Sequence, residues 1–207
     1  MTLYPLPSLQ AKEVDIVFLI ESSYPYILGG VSTWVHQIIE NFPQYTFGLI
    51  FLGGAPENYK EGIRYKIPPN VTHFQVHYLF AEDEPTAQNE KLIGNEEGFE
   101  RIKKIHEAFQ SGDPKGICPA GDISLYDKNK GVDYEQFLHG KLSWDVITQE
   151  YEKNCGDSSF IDYFWTIKNT HKPLWTIANI LHTFPKAKLA HSVSTGYAGL
   201  LGFFIEL

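Results

Sequence analysis

Residues 14–42, VDIVFLIESSYPYILGGVSTWVHQIIENF, carry the reading that decides the fold. The first seven are almost all apolar and rich in β-branched side chains. A short run of that kind suits a central parallel strand covered on both faces. From Val31 the period changes. Val31, Trp34, Val35, Ile38, Ile39 and Phe42 recur at the spacing of one helical face. Gly29 and Gly30 stand where the loop turns into that helix. Lacking Cβ atoms, they permit positive φ and let a ligand approach the backbone. A helix N-terminus at the carboxyl end of a central strand is where open α/β sheets bind ligands, anions above all.

The flanking chain extends this pattern. Residues 1–12 read as a short polar arm containing prolines. Residues 45–52 (YTFGLIFL) predict a second strand, 63–67 a short one, and 71–80 (VTHFQVHYLF) another. Between 82 and 100, seven acids (Glu82, Asp83, Glu84, Glu90, Glu96, Glu97, Glu100) face one base, Lys91, as on a solvated surface insertion. Phe99, Ile102, Ile105 and Phe109 predict a helix ended by 111–116, and 113–131 a long loop. Residues 133–155 have helical spacing, with Trp144, Ile147 and Tyr151 on one side. Residues 160–184 predict two helices broken near 171–173, because Pro173 suits only a first helical turn. Leu174, Ile177, Ala178, Leu181 and Phe184 form the stripe of the second. Residues 188–193 predict a strand, followed by a helix from Tyr197. Strands alternating with helices imply an α/β fold, a Rossmann-like, mostly parallel sheet with flanking helices and a helix-rich insertion at about 82–184. The sequence stops about three turns into its last helix, so the expectation is a fragment cut short at its C-terminal end.

Composition excludes several classes. Of 207 residues, 43% are apolar and 20% charged, enough for a core of ordinary globular type. Aromatics reach 14%, a density that lines some carbohydrate or ring-binding surfaces but more often fills a core. The net charge of −8 argues against nucleic acid and against anionic lipid. No apolar run is long enough to span a bilayer. The opening MTLYPLPSLQAKEVD has no basic region followed by an apolar stretch, so no signal peptide is expected. Cys118 and Cys155 match no metal or redox spacing, which fits a reducing cytoplasm.

Two places hold candidate chemistry. At Gly29, Gly30, Val31 and Ser32, backbone amides and the helix dipole suit an anion; a glycine-assisted helix cap fits the same residues. At His191, with Ser194, Thr195 and Gly196 after it, a second strand feeds a helix. His191 suits orientation of a hydroxyl or phosphate, although a lone histidine is more often structural. If the two strands are neighbours in a parallel sheet, both places open on one edge. His73 and His77 lie on one strand face about 13 Å apart, too far for one metal ion, and read as ordinary strand surface. The loop is LGGVST rather than GxGxxG, and eight residues separate Ile20 from Gly29, which disfavours a dinucleotide enzyme. Glu13/Glu21 and Glu82/Glu90 both fit an E-x7-E spacing, but one pair spans a strand and the other an acidic loop.

Residues 24–35 (YPYILGGVSTWV) and 190–202 (AHSVSTGYAGLLG) together resemble the N-terminal part of the PelF-type glycosyltransferases, within family 4 of the retaining glycosyltransferases. Glu21, Tyr24, Pro25, Tyr26, Gly29, Gly30, Val31, Ser32, Trp34, Val35 and His36 match the first motif, and residues 191–199 the second. The resemblance implies the N-terminal, acceptor-side half of a GT-B fold over residues 1–207. It implies a hexosyltransferase moving a sugar from a nucleotide-sugar, UDP-sugar being expected, to an exopolysaccharide of Pel type. It further implies Gly29, Gly30, Val31, Ser32, Ser194, Thr195 and Gly196 as substrate contacts, His191 as a catalytic candidate, and no metal or other cofactor. The implied partners are a saccharide acceptor, a C-terminal GT-B domain carrying the diphosphate-binding basic residues, and inner-membrane synthase components. The implied location is cytoplasmic, peripheral at the inner membrane through those components. Without the second domain the chain is expected to be inactive. The alternative is a non-catalytic docking module of a polysaccharide synthase complex.

Overall fold

A computed structural model describes residues 9–81, 95–111, 126, 131–154 and 159–205. The acidic stretch 82–94, most of the predicted loop 113–131, Cys118 and Cys155 lie outside the described residues. The chain forms two compact units, one of Met1–Asp83 with Leu181–Leu207, the other Glu84–Ile180.

The first unit is built on a four-stranded sheet, all parallel, of order β3-β2-β1-β4. Its strands are β1 Glu13–Glu21, β2 Phe47–Gly53, β3 Val71–Tyr78 and β4 Lys186–Ser192. Helix α1, Gly30–Asn41, follows β1. The fold is thus the Rossmann-like α/β arrangement that the sequence predicts. Strand β1 is interior, pairing Ile16 with Phe47 on one side and with Leu189 on the other. Val17, Leu19 and Ile20 are accordingly sealed from solvent. Asp15, the one acid within the predicted strand, has a structural task. It accepts hydrogen bonds from the Thr46 amide and hydroxyl and pairs with Lys188 at 2.6 Å. Lys188 and the two Thr46 donors hold its carboxyl down at about 2.

Phe18, Ile20, Val35, Ile39, Phe47, Leu49, Phe51 and Phe74 form the core between α1 and the sheet. Fully burying one such side chain is worth about 1.5–3 kcal/mol. The predicted α1 stripe is only half used. Ser32, Val35 and Ile39 are buried, whereas Val31, Trp34 and Phe42 are each more than 40% exposed. The helix packs over β1 and β2, and β4 is an edge strand whose Leu189 is itself exposed. The predicted strand at 63–67 is absent; only Ile63 makes a bridge, and it fills the core.

His73 departs from the expected strand surface. Residues 9–11 run along β3, with the Ala11 amide donating to Thr72 and the Phe74 amide to Leu9. That arm buries His73, whose Nδ1 lies 2.8 Å from the Ala11 carbonyl. Its Nε2 is buried with no partner among the described residues, so the neutral ring with its proton on Nδ1 fits. His77 bonds Gln75 Oε1 at 2.9 Å. Burial lowers the pKa of both rings, that of His77 to about 4. The unfolded chain therefore binds more protons than the fold below about pH 6.5, and stability falls as the pH drops from there toward 4. Chemical unfolding at stepped pH checks this. His77→Gln should flatten the acid limb, and an unchanged slope would exclude His77 as its source.

The second unit contains α2 (Glu96–Ser111), α3 (Tyr134–His139), α4 (Lys141–Asn154) and most of α5 (Phe160–Thr183). Phe99 and Ile102 of the predicted α2 face are buried, and the side chains of Ile105 and Phe109 lie outside the description. The helical pattern at 133–155 is split at Gly140, whose extended backbone separates α3 from α4. Helix α5 is continuous through Pro173, contrary to the predicted break. An interior proline costs about 3 kcal/mol. Against that, Ile167, Leu174, Trp175, Ile177, Ala178 and Ile180 are all buried, and their burial outweighs the lost hydrogen bond. Trp175 packs on Tyr126 and Phe137 and donates its indole N–H to the Val132 carbonyl at 2.8 Å. Lys168, also buried, donates to the Phe137 and Leu138 carbonyls at the end of α3 and to Ser143 Oγ.

Candidate functional site

The carboxyl ends of β1 and β4 lie side by side, so the two candidate loops do open on one edge of the sheet. Leaving β1, the chain passes through Ser22, which holds φ 51, a left-handed value uncommon outside glycine. Such residues persist only where their surroundings over-determine them. Here the Ser22 amide donates to Leu52, and the Tyr59 hydroxyl donates to Ser22 Oγ at 3.1 Å.

Two tyrosines anchor the loop that follows. Tyr24 is fully buried, with its hydroxyl 3.1 Å from His36 Nδ1 on α1. His36 Nε2 in turn lies 3.4 Å from Glu40. Burial raises the Tyr24 pKa further above that of a free phenol, so the hydroxyl stays protonated. Tyr26 packs between Phe51 and Tyr59, and burial lifts its pKa to about 12. The Pro25 carbonyl accepts the Arg64 amide. Held this way, the loop exposes Ile27 and Leu28 at its tip and delivers Gly29 to the start of α1.

Neither Gly29 nor Gly30 uses the positive φ that glycine permits. Gly29 is extended at φ 171, and its carbonyl accepts the Thr33 amide. A Cβ built on either glycine meets no atom within 4 Å. Among the described residues no side chain caps α1. Neither backbone conformation nor packing among the described residues therefore requires glycine there. What the glycines leave is open space at their Cβ positions, at the start of α1.

The β4 loop is built differently. Helix α6, Tyr197–Ile205, begins after Gly196, whose carbonyl accepts the Leu200 amide. It packs on β1 and β4, with Ala198 and Leu201 buried and Gly202 close against Leu19. The cap of α6 comes from the end of β1. Glu21 Oε2 accepts the Ala198 amide at 3.1 Å and the Ser194 hydroxyl at 3.5 Å. Gly196 lies so close to this carboxylate that any Cβ would collide with it. Ser194 and Gly196 thus gather around Glu21, while Thr195 is exposed. His191 lies apart from them on the α1 face of the sheet, paired with Phe18, its ring 5.7 Å from Phe18 and 5.8 Å from Trp34.

Glu21 is the site residue that spacing alone does not single out. Its sequence signals are its place at the head of the first matched motif, a carboxylate ending an apolar strand, and the lack of acid in the first turn of α6. Its partnership with Glu13 in an E-x7-E pair is ruled out, because eight strand residues hold them about 26 Å apart at opposite ends of β1. Among the described residues no group of three or more His, Cys, Asp and Glu is placed to hold a metal ion. Among them, too, no helix is long and apolar enough to cross a membrane.

The fold and its paired edge loops define a Rossmann-like α/β domain, a class that places ligands at the carboxyl ends of its strands. The chain belongs to the family described as a domain of unknown function, DUF3492, whose profile matches residues 14–207. No curated protein and no solved structure matches it significantly.

Proposed function

We propose that this chain is the N-terminal, acceptor-side domain of a retaining glycosyltransferase, with an inserted helical segment at about 82–184. It transfers a sugar from a nucleotide-sugar of UDP type to a growing exopolysaccharide of Pel type. The observation that carries this reading is the uncapped N-terminus of α1 behind two glycines with open space around them, at the carboxyl edge of a parallel sheet. Amides at 30–32 and the dipole of α1 suit the leaving diphosphate, whose charge grows as the anomeric C–O bond breaks. Ser194, Thr195 and the Gly196 turn supply polar contacts to saccharide, and His191 beside Trp34 offers a ring face and a hydrogen-bonding edge. The remaining diphosphate contacts belong to a C-terminal GT-B domain, so no metal is needed and this chain by itself does not turn over. The enzyme works in the cytoplasm, held at the inner membrane through synthase partners.

Titration of the ¹⁵N-labelled chain with UDP tests the reading. The amides of Gly30, Val31 and Ser32 are expected to shift saturably, ahead of all others. A titration that leaves them unmoved would overturn it, as would robust sugar transfer by this chain alone.

A further inference from the structure

The two helix N-termini at the sheet edge are electrostatically unlike. That of α1 has no side-chain cap, whereas that of α6 is filled by the chain's own carboxylate. We propose that Glu21 is a specificity-determining residue that closes the α6 N-terminus to anions, so that an anionic ligand is seated on α1 alone. The inference rests on the reading of residues 29–32 as the diphosphate seat.

Two observations and one electrostatic rule support it. Glu21 Oε2 already takes the Ala198 amide, one of the donors that a phosphate on α6 would need. A carboxylate at a helix N-terminus satisfies the dipole and repels a second negative charge. And Gly196 has no Cβ where one would push the carboxylate away, so the chain leaves room for this cap. Oε1 has no hydrogen-bond partner among the described residues. An unpaired carboxylate oxygen accepts from a hydroxyl or an ammonium and rejects phosphate. The polar turn at 194–196 thereby becomes the half of the crevice suited to an uncharged, hydroxyl-bearing group. The phenol of Tyr197 registers the same charge: burial first, and the Glu21 carboxylate second, raise its pKa.

Amide-shift titration of the full 207-residue chain with pyrophosphate tests this in three forms. In the unmodified chain the amides at 30–32 should respond and those at 196–199 should not. In Glu21→Gln, which keeps the shape and loses the charge, the 196–199 amides should respond with affinity raised about tenfold or more. Gly196→Ala should act likewise while Glu21 stays charged, because its Cβ displaces only the flexible end of a side chain. Unchanged β1 amide shifts in both variants verify the fold. Pyrophosphate shifting 196–199 in the unmodified chain, or failing to do so in both variants, overturns the proposal. A silent α1 with an α6 that opens in the variants would sink the diphosphate seat and leave the role of Glu21 standing.

Discussion

Gly30→Ala is expected to leave the chain folded and slightly more stable, yet to weaken UDP binding at the α1 amides about tenfold or more. The two halves have separate causes. Gly30 begins α1 at a backbone conformation open to any residue, and a Cβ built there touches nothing within 4 Å. Alanine in such a place restricts the unfolded chain and favours the helix by about 0.4–1 kcal/mol. On the proposed reading a phosphate approaches the amides at 30–32, and the same methyl group would crowd that approach; a lost factor of ten corresponds to about 1.4 kcal/mol. Gly30→Leu should enlarge the binding loss without unfolding the chain. Thermal unfolding and UDP titration of the same samples separate the effects. Lost stability with intact binding would make the glycines a structural cap.

The second large effect concerns Lys168 in the helical unit. Its ammonium is buried, it lies over the Phe137 ring, and its donors meet two carbonyls and a hydroxyl. Among the described residues no carboxylate pairs with it. Desolvation lowers its pKa to about 7 from an ordinary 10.5. The sign follows from proton counting: between those values the unfolded chain binds more protons than the fold, so stability rises with pH. Below pH 7 the lysine is charged in both states, and the fold carries the whole desolvation penalty. Between pH 7 and 10 the unit should gain a few kcal/mol, less what tyrosine ionisation takes back near the top of the range. Denaturant unfolding of the chain and of Lys168→Met across this interval checks it. The variant should lose the rise even though it leaves the α3 carbonyls short of donors. Equal slopes would show that the lysine stays charged in the fold.

The pH behaviour of the two units therefore has one sign and two sources. His73 and His77 weaken the sheet unit on acidification, because burial keeps them neutral. Neither burial is written in the local sequence. His73 occupies an alternating strand position like any other, and its cover is an arm more than sixty residues earlier in the chain.

Sequence alone determined whatever depends on near neighbours. The unbroken apolar run at 14–20 could be satisfied only inside a parallel sheet, and the period from Val31 onward only as a helix. Those two facts fixed β1, α1 and the sheet edge at which α1 begins. Local rules failed where distant residues supplied the deciding energy. Pro173 stayed inside α5 because its flanks are buried. Trp34 stayed exposed because β4 ends the sheet. The site divides the same way. The glycines and the β4 turn were legible as helix starts, but which helix start is vacant was not. That was decided by Glu21 reaching Ala198, 177 residues away in sequence. A cap of that kind exists only once parallel pairing has brought the ends of β1 and β4 together, since no local pattern encodes the proximity of a carboxylate and an amide so far apart in the chain.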